Sequence, residues 1–234
     1  MKMKKLLLLI AITASLLSVS CDGVFDDLHD KINAGDPTDF YVAPDGNDNH
    51  PGWKAYPMAT ISRAMEKAAA GDRIHVMAGT YAGSVVLKGG VSLYGSYRNH
   101  NYNAASRNVI ANPSIITATS TTGGIFSSGA ITQDIVVDSF EIKACDSVNS
   151  ITNALSFTGS GYDATVSVRR CKVISGTPTG SYNSYGIAIT ESQVYLINNL
   201  IITPLGNTTN VSGIVIRDSN VDIFNNTIDY AAIP

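Results

Sequence analysis

Hydrophobic residues along the chain form short β-prone runs at regular intervals, and turn-forming residues separate them. In several runs apolar and polar positions alternate, as expected of strands with one buried face. No helical pattern lies between the runs, so a parallel sheet must return each strand by coiling rather than through crossover helices. The predicted strands are residues 40–42, 73–76, 84–87, 91–94, 114–117, 135–137, 140–142, 155–157 and 164–168.

A near-repeat supports this coiling. The segment that starts at Gly186 returns at Gly213, 27 residues later, with Ile, Val, Ser and Asn at matching places. Self-similarity at such a period is typical of a stacked solenoid, in which each unit buries its apolar side against the next. The sequence therefore predicts an all-β solenoid.

A polar or small pair precedes each β-prone run of the second half. Neighbouring coils lie about 4.8 Å apart, so polar side chains at one corner can form a ladder of amide hydrogen bonds. We expect the second Asn of each asparagine pair to turn inward and bond the backbone of the bend. The predicted structural ladder consists of Asn198, Asn199, Asn225 and Asn226.

One internal helix is predicted over residues 60–70. Thr60 is a suitable N-cap, and Gly71 is a suitable end. The apolar stripe of this helix needs a partner, and covering the first coil would supply both the burial and the polar outer face that a terminal unit needs. The stripe consists of Ile61, Ala64, Met65 and Ala68.

The N-terminal residues have the pattern of a secretory signal. Basic Lys2, Lys4 and Lys5 precede an apolar stretch at 6–17, and Cys21 follows a run of small residues. This resembles a bacterial lipoprotein signal, although Ser18 stands where Leu is usual. We expect residues 1–20 to be removed and Cys21 to be lipidated. A secreted protein with an incidental Cys, or an uncleaved anchor, is the alternative.

Composition limits the partners. The chain has 234 residues, of which 44% are hydrophobic and 15% charged, enough for a folded core. Without residues 1–20 the formal net charge changes from −3 to −6, and basic residues form no cluster. Nucleic acid is therefore not an expected partner. Residues 21–38 are expected to be an acidic tether, and residues 39–234 the folded part.

Residues 41–81 carry a family resemblance. Tyr-Val-Ala-Pro-Asp-Gly-Asn-Asp from Tyr41, Ala-Gly-Asp-Arg-Ile-His-Val from Ala70 and Gly-Thr-Tyr from Gly79 are similar to the N-terminal module of pectin-lyase-like proteins. The segment that begins at Gly90 resembles bacterial surface lipoproteins of that fold, many of them from uncharacterised families. The resemblance implies a right-handed parallel β-helix with an N-terminal capping helix. It implies no single activity, because lyases, epimerases and adhesins share this fold.

Two sets of residues could carry chemistry. Asp45, Asn47 and Asp48 offer oxygen ligands for Ca²⁺, although Asx-turns explain them better. Related lyases abstract a sugar proton with Lys or Arg beside carboxylates, so a second set is a weak catalytic candidate. It could equally be a solvated edge. Its members are Arg169, Arg170, Arg217, Glu191 and Asp218.

Other side chains leave alternatives open. Cys145 and Cys171 could pair in an oxidising compartment or remain two buried thiols. His75 is expected to face outward from a strand, and His50, His75 and His100 lack metal-ligand spacing. A set of tyrosines could stack on sugars or simply pack at turns. They are Tyr94, Tyr97, Tyr102, Tyr182 and Tyr185.

These observations predict a membrane-anchored lipoprotein of the cell envelope, at the periplasmic face or the cell surface, whose β-helix binds glycans or envelope proteins. The alternative is a polysaccharide lyase, or a related carbohydrate-active enzyme, acting on acidic polysaccharide. No cofactor is expected, with Ca²⁺ as a weak candidate. The sequence stops at Pro234 directly after a repeat strand, without a capping segment. We therefore expect the full-length protein to contain further coils.

Overall fold

The computed structural model describes residues 38–127, 129–146, 150–177, 183–204 and 210–230. All of them belong to one compact unit, Pro37–Pro234. The signal sequence, Cys21 and nearly all of the tether lie outside the described residues.

The described residues form sixteen strands, one α-helix and a short 3-10 helix. The helices are α1 (Ile61–Lys67) and the 3-10 turn Ala104–Ser106. The strands are β1 (Asp39–Val42), β2 (Arg73–Met77), β3 (Gly79–Ala82), β4 (Val85–Val86), β5 (Ser92–Tyr97), β6 (Ser114–Thr117), β7 (Ile125–Phe126), β8 (Ile135–Asp138), β9 (Glu141–Lys143), β10 (Thr152–Arg169), β11 (Lys172–Ile174), β12 (Asn183–Ile197), β13 (Leu200–Ile202), β14 (Asn210–Arg217), β15 (Asn220–Phe224) and β16 (Thr227–Asp229).

The strands stack in parallel on three faces of a β-helix. Face one contains β1, β2, β5, β8, the second halves of β10 and β12, and β15. Face two contains β3, β6, β9, β11, β13 and β16. Face three contains β4, β7, the first halves of β10 and β12, and β14. The predicted parallel β-helix is confirmed.

The core is a set of apolar rows that run along the axis. On face one, five side chains in register are fully shielded from solvent. Burying each such side chain contributes about 1.5–3 kcal/mol relative to leaving it exposed. Faces two and three add similar rows, so every coil supports its neighbours. The face-one row is Ile74, Leu93, Val137, Val168 and Leu196.

Helix α1 caps the first coil, as predicted, and contacts β1, β2 and β4. The Thr60 hydroxyl accepts a hydrogen bond from Arg63 N at 3.2 Å, which starts the helix. The helix ends at Lys67, earlier than expected. The Asp72 carboxylate accepts a hydrogen bond from Ala69 N at 2.7 Å and holds the next residues in a turn.

Residues with left-handed backbone conformation form two of the corners. Between faces one and two they are Ser96, Ser139, Arg170, Asn198 and Asn225. Glu191 and Asp218 are the corresponding residues between faces three and one. Such conformations are unfavourable for most side chains and least so for Asn and Asp.

Inward hydrogen bonds stabilise the corner between faces one and two in the last coils. Asn199 is buried, and its Oδ1 accepts from Cys171 N at 2.9 Å. Its Nδ2 donates to Val168 O at 3.0 Å and to Asn226 Oδ1 at 2.9 Å. Asn199 and Asn226 therefore form the inward amide row, whereas Asn198 and Asn225 shape the backbone.

A serine row, not foreseen from the sequence, occupies the other corner. Ser160 Oγ donates to Ser127 Oγ at 2.6 Å, and Ser192 Oγ accepts from Ser160 N at 3.2 Å. Ser219 Oγ in turn accepts from Ser192 N at 3.1 Å. These bonds satisfy backbone donors where the strands turn.

Candidate functional site

Three aromatic rings project outward from neighbouring coils of face one. Tyr41, His75 and Tyr94 occupy the same register on β1, β2 and β5. The Tyr41 and His75 ring centroids are 5.1 Å apart with an interplanar angle of 18°, and those of His75 and Tyr94 are 5.8 Å apart at 20°. The rings therefore form a stacked row along the axis, which we call the aromatic row.

The central ring is fixed by two hydrogen bonds. His75 Nδ1 lies 2.7 Å from the Tyr97 hydroxyl, and Nε2 lies 2.8 Å from Asp39 Oδ1. Asp39 also accepts from the Arg73 guanidinium at 2.7 and 3.2 Å. The imidazole is therefore clamped between a phenol and a carboxylate.

Burial and pairing shift the pKa values of these groups. Burial lowers the pKa of His75, and the hydrogen bond to Asp39 offsets only part of this effect. Burial raises the pKa of Asp39, but hydrogen bonds from His75 and Arg73 outweigh it, so the net shift is downward. Burial raises the pKa of Tyr41 to about 12. The Tyr41 hydroxyl therefore stays protonated at neutral pH and can donate to a ligand.

The segment 98–113 leaves the coil after β5 and folds back beside the aromatic row. The Tyr102 hydroxyl donates to Val42 O at 3.1 Å, and its ring meets that of Tyr41 edge-on at 4.6 Å. The Arg107 guanidinium lies 5.3 Å from the Tyr94 ring centroid. At the other end of the row, Lys54 Nζ lies 5.3 Å from the Tyr41 ring centroid. Cations therefore border the row on both sides.

A buried carboxylate continues the row on the next coil. Asp138 is in register with Tyr94, and its side chain is 4% exposed. Its carboxylate forms ion pairs with Arg107 at 3.2 Å and with Arg170, and it accepts from Ser139 Oγ at 2.8 Å. Arg169 follows in register on β10, and its Nε is buried without a hydrogen-bond partner among the described residues.

This arrangement is suited to binding. Tyrosine edges and hydroxyls, spaced by one coil, can contact the apolar faces and hydroxyl groups of an extended ligand. Because the row follows the axis, a chain-like ligand can contact several coils at once.

The weak catalytic candidates do not converge on one point. Arg170 lies at the corner where face one ends, whereas Glu191 and Asp218 lie at the corner where it begins. The strand of face one between those corners is about 20 Å long at about 3.3 Å per residue. Only Arg217 adjoins the acidic residues, and it is exposed. The structure thus separates these residues into two groups.

The proposed calcium ligands have bonds within the protein. Asp48 accepts from Ala59 N at 2.9 Å and from Thr60 N at 2.8 Å. Asn47 Oδ1 accepts from Asn49 N at 2.9 Å in an Asx-turn. Asp45 Oδ2 lies 3.1 Å from His100 Nε2. In the described ranges, His, Cys, Asp and Glu nowhere form a group of three that could hold a metal ion.

Three of the five candidate tyrosines, Tyr94, Tyr97 and Tyr102, lie around the aromatic row. Tyr185 lies on face three, and Tyr182 is outside the described residues. His75 faces outward, as expected, and His50 Nδ1 lies 3.0 Å from Pro57 O.

The two remaining cysteines are both free thiols. Cys171 is buried, and burial raises its pKa to about 12. Cys145 is only half-buried, and burial raises its pKa as well. A disulfide between them is therefore not formed in this structure.

Sequence reasoning missed several residues of this site, namely Asp39, Tyr41, Arg107 and Asp138. Tyr41 and His75 both sit one residue before an inward apolar position in β1 and β2, and this alternation could have found them. Arg107 gave no signal, because it lies in an irregular segment.

Comparisons with known proteins give one family. The family described as "Protein of unknown function (DUF1565)" matches residues 44–233. No curated protein matches the chain. A solved structure titled "Rhamnogalacturonan lyase" is similar at 10% identity with a TM-score of 0.42. The similarity covers 83% of this chain and 62% of that chain, so this chain spans less than two thirds of the other's length. In the part of the chain that is described, helices are too short or too polar to span a bilayer.

Proposed function

Starting from the fact that the chain belongs to the DUF1565 family, we propose that it is a lipoprotein of the cell envelope whose β-helix binds glycan chains. The aromatic row of Tyr41, His75 and Tyr94 carries this proposal. The proposed role is binding rather than catalysis, because the candidate bases Arg169 and Arg170 lie at the opposite end of face one from Glu191 and Asp218, and Arg217 beside those acids is exposed.

The geometry of the row supports a glycan as ligand. Glycans are elongated, and each sugar offers hydroxyl groups together with an apolar face. The row runs along the axis with half-buried rings that are already fixed by Asp39, Tyr97 and Tyr102. Little side-chain entropy is therefore lost on binding.

Membrane attachment through Cys21 is supported by the basic, apolar and small-residue order of residues 1–20. A lipid chain alone gives reversible attachment, whereas several acyl chains hold a protein firmly. Fractionation of cells that carry Cys21→Ser tests this point. Wild-type protein is expected with the membranes, and the variant is expected to lose both membrane association and incorporation of a labelled fatty acid.

A glycan array tests the binding role. The full chain, extracted in detergent, is applied beside Tyr94→Ala and a control, Tyr162→Ala. Tyr162 is 49% exposed and lies away from the aromatic row. We expect the wild type and the control to bind the same glycans. Tyr94→Ala should bind at least about tenfold more weakly, as expected for the loss of a large aromatic contact.

Other outcomes would change the assignment. Binding that is equal in all three proteins would remove the aromatic row from the site. Failure to bind any glycan, together with Tyr94-dependent capture of a purified envelope protein, would make the protein a protein-binding module. Release of unsaturated uronates, followed by absorbance, would favour the lyase alternative.

A further inference from the structure

Two arginines pair with one carboxylate where the aromatic row ends, and a third arginine is in register with it on the next strand. The pair is Arg107 and Arg170, the third is Arg169, and the carboxylate is that of Asp138, which stands next to Tyr94 in register. Even with Asp138 ionised, positive charges outnumber negative ones in this group. We call these four residues the arginine cluster. It is a positive point on a chain whose formal net charge is −3.

Asp138 has no capacity left for a further cation. Its Oδ1 accepts from Ser139 Oγ at 2.8 Å and from Arg170 Nε at 3.0 Å, and it faces Arg107 at 3.2 Å. Its Oδ2 accepts from the terminal nitrogen of Arg170. Asp138 therefore acts as an anchor that holds the guanidinium groups in place.

One arginine of the cluster is exposed, and another has a buried nitrogen without a partner in the described part of the chain. The Arg170 side chain is 57% exposed although it is paired with Asp138. Arg169 Nε is buried and has no acceptor among the described residues. Because this nitrogen is shielded from solvent, a ligand does not reach it directly, and Arg169 adds its positive charge to the cluster.

Space for a ligand group lies beside Arg107 and Arg170, whereas Arg169 is in register with Asp138 but does not line this space. A cavity of about 250 Å³ opens between segment 98–113 and the corner at Ser139. Arg107 and Arg170 line it together with Asn108, whose side chain adds an amide. Arg107, Asn108, Ser139 and Arg170 supply its polar lining, and its volume is large enough for a single charged sugar substituent.

We infer that the arginine cluster binds an anionic group, a carboxylate or a sulfate ester, of the glycan that contacts the aromatic row. This inference rests on the proposed glycan-binding function and specifies the ligand as an acidic glycan. Arginine keeps its charge in proteins, and its planar donors match both kinds of oxyanion. The chain as a whole carries a negative formal net charge, so anions are favoured at this positive point over the rest of the surface.

Binding of three glycans to the full chain in detergent tests the inference. Hyaluronan oligosaccharides carry carboxylates, dextran sulfate carries sulfate esters, and dextran is neutral. We expect at least one anionic glycan to bind about tenfold or more tightly than dextran. The preference should weaken as salt is raised. Inorganic sulfate is measured in parallel, and equally tight binding of this ion would reduce the site to one for an adventitious ion only.

The variants are chosen to separate charge from folding. Arg170→Gln removes a partner of buried Asp138 and could lower stability, so Arg169→Gln serves as the second variant, since it breaks no ion pair described above. Arg63→Gln is the matched control, because Arg63 is 41% exposed and lies on helix α1. We expect Arg169→Gln and Arg170→Gln each to lose about tenfold in affinity for the anionic glycan, and Arg63→Gln to lose none.

The outcomes distinguish the two proposals. If dextran and the anionic glycans bind with equal affinity, and Tyr94→Ala weakens the binding of all of them, the arginine assignment is overturned. Glycan binding by the aromatic row then remains in place. Equal losses in Arg63→Gln and the cluster variants would also overturn it. Failure of every glycan to bind would contradict both proposals together.

Discussion

The corner between faces one and two is built differently in the last coils and in the earlier ones. In the last coils a left-handed Asn, at 198 or 225, precedes an inward Asn whose amide bonds the neighbouring coil. In the two coils before them the left-handed residue is Ser139 or Arg170, and the side chains there engage Asp138. The same backbone bend is therefore stabilised by neutral amide side chains that repeat in the last coils, and by charged side chains around Asp138 that do not repeat.

The difference separates structural side chains from candidate functional ones. The amide row repeats with the coil, and its side chains bond backbone groups of the protein, so it requires no ligand. The charged corner is joined by Arg107, which comes from the segment 98–113 that breaks the repeat. The coils that depart from the repeat are therefore the ones that carry the candidate site.

The largest effect is expected from a substitution that breaks the charged corner. Asp138→Asn should lower the free energy of unfolding by about 3 kcal/mol, because Arg107, whose side chain is 10% exposed, loses its carboxylate partner. Urea denaturation at neutral pH measures the change. The exposed Asp222→Asn on the same face serves as control and should stay within about 0.5 kcal/mol of wild type. Similar values for both variants would mean that the charged corner adds nothing to stability.

Breaking the neutral corner should cost less. Asn199→Ala removes the side-chain partners of Cys171 N and Val168 O and one of the two donors to Asn226 Oδ1, so a loss of about 2 kcal/mol is expected. Asn198→Gly keeps the left-handed conformation and should change stability by less than about 1 kcal/mol. If the two variants were equally unstable in urea denaturation, the division between inward and backbone-shaping Asn would be wrong.

The helix cap provides a third, smaller test in the early coils. Thr60→Ala removes the acceptor for Arg63 N and the donor to Asp48, so stability should fall by about 1 kcal/mol. Ser62→Ala, at an exposed position of the same helix, is the control and should be close to neutral. Thermal melting of the three proteins compares them. A melting temperature for Thr60→Ala equal to that of the control would contradict the capping role.

The smallest effect concerns pH. Burial lowers the pKa of His75, so the unfolded chain takes up this proton more readily than the folded one. Burial of the neutral imidazole therefore adds stability that is complete above the usual His pKa of 6.5. This stability is lost as the pH falls through the lower pKa of His75 in the folded state. The drop in stability from about pH 7.5 to about pH 5.5 should therefore be smaller in His75→Gln than in wild type. His100→Gln, at an exposed site, should behave like wild type, and a reversed order would contradict the shift.

The sequence predicted the coils well because their signals are local and repeated. Alternation located most strands, and the Gly186 and Gly213 echo indicated the solenoid. Strands at 155–157 and 164–168 were predicted separately but are one strand, β10, because pairing with β12 continues on both sides of the bend. The serine row could also have been predicted, since its members recur one coil apart. It was missed because serine is common in turns of any kind.

The candidate site was less predictable because its contacts join distant parts of the chain. Arg107 and Asp138 lie in different coils, and neither belongs to the 27-residue pattern. Their pairing depends on how segment 98–113 folds back, which no periodicity encodes. His75 could be placed on a strand, but its clamp by Asp39 and Tyr97 depends on register between coils.

The two glycines of the echo have a consequence for how such a chain can grow. A Cβ at Gly186 would lie 2.7 Å from Ile201 Cγ2, and one at Gly213 would lie 2.5 Å from Ile228 Cγ2. Each glycine thus makes room for an isoleucine later in the same turn. Each 27-residue block contains both the glycine and the isoleucine for which it makes room. Inserting or deleting a whole block would therefore keep each glycine with its isoleucine, whereas a cut inside a block would separate them. A Cβ at Gly186 would also lie 2.6 Å from Gly213 O, so the two coils additionally depend on each other at this position.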